Sequence, residues 1–163
     1  MEEIRNYSPD QFTEFASKQM SNMNLVENLV LKAHVISEFV INCYLESISN
    51  KKTHNFFKEN HKYATKLFLL ESFGALPKES FSEVILSYKL LNKLRNEFAH
   101  TLKFNKNIFR DLMESIKRIS PDDFNDRTTD DTVDLLSRME NISYLLSYLN
   151  GYVYGVFTVN RDS

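Results

Sequence analysis

The stretch from Asn22 to Ser49 constrains this chain most, because its apolar residues recur at intervals of three and four over a length that strands rarely reach. Leu25, Leu29, Ala33, Ile36, Val40 and Cys43 make one stripe, the pattern of a long helix facing a core. Leu31, Ile41, Leu45 and Ile48 make a second strip on the opposite side. A helix apolar on two sides is either central to its fold or lies between a core and a partner subunit. His34 and Glu38, one turn apart, interrupt the second strip. Two readings stand for Glu38: a carboxylate drawn into the strip and paired with Arg95 or His34, or a solvated gap with His34 as its helix neighbour.

The same period runs through the rest of the chain, and only three glycines and three prolines punctuate its 163 residues. The expected class is all-α: one domain over 1–163, a compact bundle of about six helices with two long ones central. Ser8-Pro9 opens a short helix to about Lys18, with Phe12 and Phe15 covering a core edge. A helix from about Lys62 ends at Phe73, where Gly74 suits a left-handed C′ position. Pro77 starts the next, which continues to about Leu102. Asn105 to about Ser120 follows, with Ile108, Leu112, Ile116 and Ile119 inward. The acidic stretch Asp122 to Asp134 lacks the ligand spacing of a calcium loop and reads as a solvated connection.

The last helix is expected from about Asp131 to Phe157. It carries no charge between Glu140 and Arg161, but its asparagines, serines and tyrosines make it too polar for a membrane span. Ser143, Ser147, Gly151 and Gly155 recur every fourth residue beside Tyr144, Tyr148 and Tyr152. Such a ridge predicts a close helix pair, within the chain or across a dimer, with base stacking on the tyrosines the lesser alternative.

Composition removes several chemistries. No glycine-rich phosphate loop and no nucleophile elbow exist. Cys43 is the single cysteine, so there is neither an intrachain disulfide nor a cysteine-pair metal site, and a reducing cytoplasm is the expected home. Met1-Glu2-Glu3-Ile4-Arg5 has no apolar run of the secretory kind. His54 and His61 lack the spacing of a helical metal pair and read as surface residues; no metal and no cofactor are expected. The net charge of −2 is uneven. Lys and Arg stand eight against three Asp and Glu over 89–118, but three against seven over 1–50 and two against seven over 122–140. A basic middle suits an anionic partner such as a phosphodiester backbone; separate solvated faces are the alternative.

Within that basic middle, Leu90-Leu91-Asn92-Lys93-Leu94-Arg95-Asn96-Glu97-Phe98-Ala99-His100 places an arginine, an amide and a histidine in a helical context. Arg95-Asn96, with four residues between Arg95 and His100, resembles the motif of the HEPN superfamily (higher eukaryote and prokaryote nucleotide-binding). With Phe73-Gly74-Ala75-Leu76-Pro77 just before it, the stretch from about Leu25 to Leu112 looks like the branch containing the mannitol operon repressor family. The resemblance implies a homodimer with the motif between protomers and a metal-independent endoribonuclease acting on RNA, of the kind found among toxins and antiviral effectors. Arg95, Asn96 and His100 would be catalytic, with Glu38 and His34 supporting. His100 would move the proton of the ribose 2′-OH, and Arg95 would stabilise the phosphorane.

The branch name also implies an alternative, a non-catalytic transcriptional regulator or protein-interaction module. A third reading makes the chain one member of a toxin–antitoxin pair with an antitoxin or regulatory protein as partner, although Thr101 and Leu102 stand where the nucleotidyltransferase-partnered branch carries a tyrosine.

Helical geometry adds a condition. At about 100° per residue, Arg95 falls inside the apolar stripe of Val84 and Leu91, while His100 falls about 140° away. Either the helix bends near Glu97 or a second copy completes the site. Arg95 as a buried guanidinium held by Glu38, and His100 as a cation favoured by the helix C-terminus, are the structural alternatives.

Overall fold

The computed structural model describes residues 3–21, 23, 25–49, 61–74, 76–124 and 126–162. The chain is all-α: seven α-helices follow a short 3-10 turn at Ile4–Asn6, with no strand among the described residues. They are α1 (Pro9–Met20), α2 (Val26–Ile48), α3 (Tyr63–Phe73), α4 (Lys78–Thr101), α5 (Lys106–Lys117), α6 (Pro121–Phe124) and α7 (Leu135–Asp162). His54 and the pair Phe56-Phe57 lie outside the described residues.

The local signals act as physical chemistry dictates. Ser8 Oγ accepts from Gln11 N at 3.2 Å while Gln11 Oε1 accepts from Ser8 N at 2.8 Å, a reciprocal cap that opens α1 with Pro9 in its first turn. Asn105 Oδ1 accepts from the backbone N–H groups of Asn107 and Ile108, which starts α5. Asp134 does the same for Leu136 and Ser137, so α7 starts later than Asp131 and then continues past Phe157 to Asp162.

Gly74 does end α3, but with extended backbone at φ −69°. It is needed for a close approach: a Cβ there would lie 2.3 Å from the Leu70 carbonyl oxygen, which Gly74 N–H already engages. The left-handed residue is Leu102, with φ 54°, at a cost of roughly 1–2 kcal/mol for a non-glycine residue.

α7 packs along both α1 and α2, and α5 folds back on α4. The stripe from Leu29 to Cys43 is buried, whereas Leu25 is 58% exposed at the helix start. Ile108, Leu112 and Ile116 point inward as their spacing requires. The fully buried Tyr88 and Tyr154 tie the layers together. Tyr88 OH donates to Asn150 Oδ1 at 3.3 Å, and Asn150 Nδ2 donates to Leu146 O and Ala33 O, joining α4, α7 and α2. Tyr154 stacks on Phe12 with ring centroids 3.9 Å apart and donates to the carbonyls of Ile4 and Tyr7.

The acidic connection is more structured than its composition suggests. Phe124 of α6 is fully buried against Tyr144 and Tyr148, and Arg127 lies 3.7 Å over the Tyr144 ring. No helix among the described residues is long and apolar enough to cross a membrane.

Candidate functional site

The motif occupies the last third of α4. Burial stops at Leu94: from Arg95 to Thr101 no residue of the helix is buried, so the apolar face runs out where the helix outreaches its cover. Arg95 is therefore exposed rather than held inside the stripe. Its guanidinium is held by a neighbour, Nη1 donating to Asn96 Oδ1 at 2.9 Å.

Asn96 Nδ2 in turn donates to Asn92 Oδ1 at 3.4 Å, one turn back. The same oxygen lies 3.2 Å from His34 Nε2, which crosses from α2. Since Asn92 Oδ1 can only accept, His34 carries its proton on Nε2. His34 is itself buried, with its ring stacked on Tyr63 at a centroid distance of 4.2 Å. Burial pulls its pKa below the ordinary 6.5; the Asn92 hydrogen bond and Glu38 oppose this, while Arg95 and Lys66 add to it. The outcome is a neutral imidazole at neutral pH, at the inner end of a hydrogen-bonded row running His34, Asn92, Asn96, Arg95 to the surface.

Glu38 has a different partner from the two expected. Its Oε1 accepts from Lys66 Nζ at 2.6 Å. The buried member of this pair is the lysine, with its side chain 4% exposed against 41% for the glutamate. A buried ammonium needs a counter-charge more than a half-exposed carboxylate does, so Glu38 stands beside the row as the partner of Lys66.

His100 is exposed in the last turn of α4. The turn beyond it is fixed on both sides: Thr101 Oγ1 donates to Glu97 O and accepts from Lys103 N, and Asn105 Nδ2 donates to Glu97 Oε1 at 2.9 Å. The helix runs unbroken through Glu97, so no bend brings His100 round to Arg95. The two side chains leave one rod about 140° apart. Lys93, Lys103 and Lys106 are exposed close by in sequence and have no ion pair among the described residues, whereas Lys89 pairs with Glu71 and Arg118 with Glu83.

Among the described residues no three His, Cys, Asp or Glu side chains gather closely enough to hold a metal ion. Cys43 is buried, and burial pushes its thiol up to about 12, leaving it a small apolar side chain at neutral pH. Asn92 is the residue the motif alone does not point to, and its signal was the Asn-x3-Asn spacing with Asn96. Lys66 and Tyr63 carry no such signal, since only the packing of α3 on α2 brings them to Glu38 and His34. Compared with family models, curated proteins and solved structures, this chain matches none.

Proposed function

We propose that this chain is a metal-independent endoribonuclease of the HEPN type that works as a homodimer. The observation that carries the reading is an exposed arginine, pre-oriented by an amide row, on the same helix as an exposed histidine, in a stretch of sequence rich in lysine and arginine.

The chemistry follows from those groups. His100 takes the proton of a ribose 2′-OH, whose oxygen then attacks the adjacent phosphorus. The P–O2′ bond forms as the P–O5′ bond breaks, and the O5′ leaving group receives a proton. Arg95 donates two parallel hydrogen bonds to the non-bridging oxygens as charge builds on them. Asn96 fixes the guanidinium through its Oδ1, and His34 anchors that row through Asn92. The products are a 2′,3′-cyclic phosphate and a free 5′-hydroxyl.

A dimer supplies what one helix lacks. Arg95 of one copy and His100 of the other can face a single phosphate across a two-fold axis, a geometry that 140° around one rod denies. The test is cleavage of a broad RNA panel by the wild-type chain in EDTA, with end-group analysis and sedimentation in parallel. Cyclic phosphate ends from a dimer support the proposal, and a folded dimer that cuts nothing ends it. The separation of Arg95 and His100 within one chain favours one second reading, a non-catalytic regulator or protein-interaction module. A folded chain without nuclease activity, whether monomer or dimer, is the result that reading requires.

A further inference from the structure

The row from His34 to Arg95 joins a buried imidazole to a surface guanidinium, and the charges along it do not balance. Glu38 faces His34 from its own helix, Tyr63 and Lys66 face it from α3, and Arg95 faces it from α4. α7, which packs along α2, is uncharged between Glu140 and Arg161 and adds none. Lys66 and Glu38 offset each other in their 2.6 Å pair, and Tyr63 stays a neutral phenol because burial pushes its hydroxyl up. Arg95 donates to an amide and has no carboxylate partner among the described residues. Of the charges facing His34, it is the guanidinium that stands uncompensated.

The hydrogen bonds tolerate a second protonation state of the ring. Asn92 Oδ1 accepts from His34 Nε2 at 3.2 Å and from Asn96 Nδ2 at 3.4 Å, and Asn96 Oδ1 accepts from Arg95 Nη1 at 2.9 Å. Nε2–H donates whether the imidazole is neutral or charged, so a proton added at Nδ1 leaves every link in place. Nδ1 has no hydrogen-bond partner among the described residues. What opposes the added proton is burial first, then repulsion by Arg95 and, more weakly, by Lys66. An anion seated on the guanidinium cancels the larger of those two repulsions.

We propose that His34 takes up a proton when a phosphodiester binds Arg95, so that the inner end of the row becomes cationic as its outer end is neutralised. This rests on the nuclease reading only in taking Arg95 as the group that meets the phosphate. The coupling is reciprocal: the factor by which the anion raises proton affinity at His34 is the factor by which the proton raises anion affinity. A proton held there also places positive charge behind Arg95, where negative charge grows on the non-bridging oxygens as O2′ attacks.

The probe is an all-deoxy oligothymidylate, whose phosphodiesters stay ionised across the histidine range and which lacks the 2′-OH that cleavage consumes. Histidine ring resonances of the full chain are followed against pH with and without saturating oligonucleotide, the His34 signal being the one absent from His34→Gln. The His34 midpoint is expected to rise by about 0.3–0.6 pH units, and affinity by about twofold to fourfold between neutral pH and about pH 5. Arg95→Gln should start with a higher His34 midpoint and show no further rise. In His100→Ala, which removes the exposed ring's own titration, the gain in affinity at low pH persists. Adding His34→Gln, which keeps a donor for Asn92 but takes no proton, abolishes that gain. A His34 midpoint unmoved by bound oligonucleotide overturns the proposal, as does an equal rise in Arg95→Gln or no binding at about 1 mM. The nuclease reading fails separately: a moved midpoint in a chain that cuts no RNA removes that reading and leaves this one, whereas cleavage with an unmoved midpoint does the reverse.

Discussion

α4 and α7 both interrupt an apolar helix with small polar side chains, and they put them to opposite uses. In α7, Asn150 is fully buried and spends its amide on Tyr88 OH and on the carbonyls of Leu146 and Ala33. In α4, Asn92 and Asn96 are half-buried and spend theirs on each other, on His34 and on Arg95. The first arrangement locks three helices. The second leads polarity from the interior to an exposed guanidinium. Identical residue types become structural cement or a candidate site according to how far neighbouring helices cover them.

The contrast is broken most sharply by His100→Ala. It should lower RNA cleavage by about 10²–10⁴-fold, the usual worth of a positioned acid or base, with the melting temperature unchanged because the ring is exposed. Arg95→Ala should lose activity and keep stability too. A large fall in its melting temperature would show that the guanidinium is structural.

Next in size is the amide comparison. Asn150→Ala orphans the Tyr88 hydroxyl and opens a small void, at a cost of about 2–4 kcal/mol in urea unfolding. Asn96→Ala should cost under about 1 kcal/mol, since water reaches the site. Equal costs would erase the distinction.

The glycine pair tests the α7 ridge. Gly151→Leu forces α1 away and should cost about 1–3 kcal/mol by overpacking. A close helix pair was expected at Gly155 as well, but among the described residues nothing lies within 4 Å of a Cβ built there, so Gly155→Leu should not lower the melting temperature.

The smallest effect is in pH. His34 has its pKa depressed in the folded state, so the unfolded chain binds the proton more readily. The stability held by neutral His34 is complete above 6.5 and is lost as pH falls below it. Lys66 and Arg95 strengthen the trend, and Glu38 opposes it. Urea midpoints at pH 7 and pH 5 should therefore differ more in the wild type than in His34→Gln. Parallel pH dependence in the two would show that His34 does not carry it.

Much of the architecture was readable from the chain. Periods of three and four defined α2, α4 and α5. The Ser8-Pro9-Gln11 cap and the Asn105 cap act within a few residues and need no tertiary contact. The class, the helix order and the inward faces of α2 and α5 follow from such local rules. The motif residues share one unbroken helix, so their relative angles were also fixed in advance.

What the tertiary structure alone decided is coverage. Periodicity says which side of a helix is apolar, but not where its neighbour ends. The burial of α4 stops at Leu94, which turns Arg95 outward although its angle lies inside the stripe. Glu38 could not be assigned to Lys66 from spacing, because they sit on different helices and meet only when α3 packs on α2. Phe124 sits in an acidic stretch, yet it is buried because other helices cover it, Tyr144 and Tyr148 of α7 among them. Gly151 and Gly155 share one spacing and one chemistry, yet α1 reaches the first and no described residue comes within 4 Å of a Cβ at the second. A helix's own sequence sets its faces; burial free energy depends on the atoms another segment brings to them.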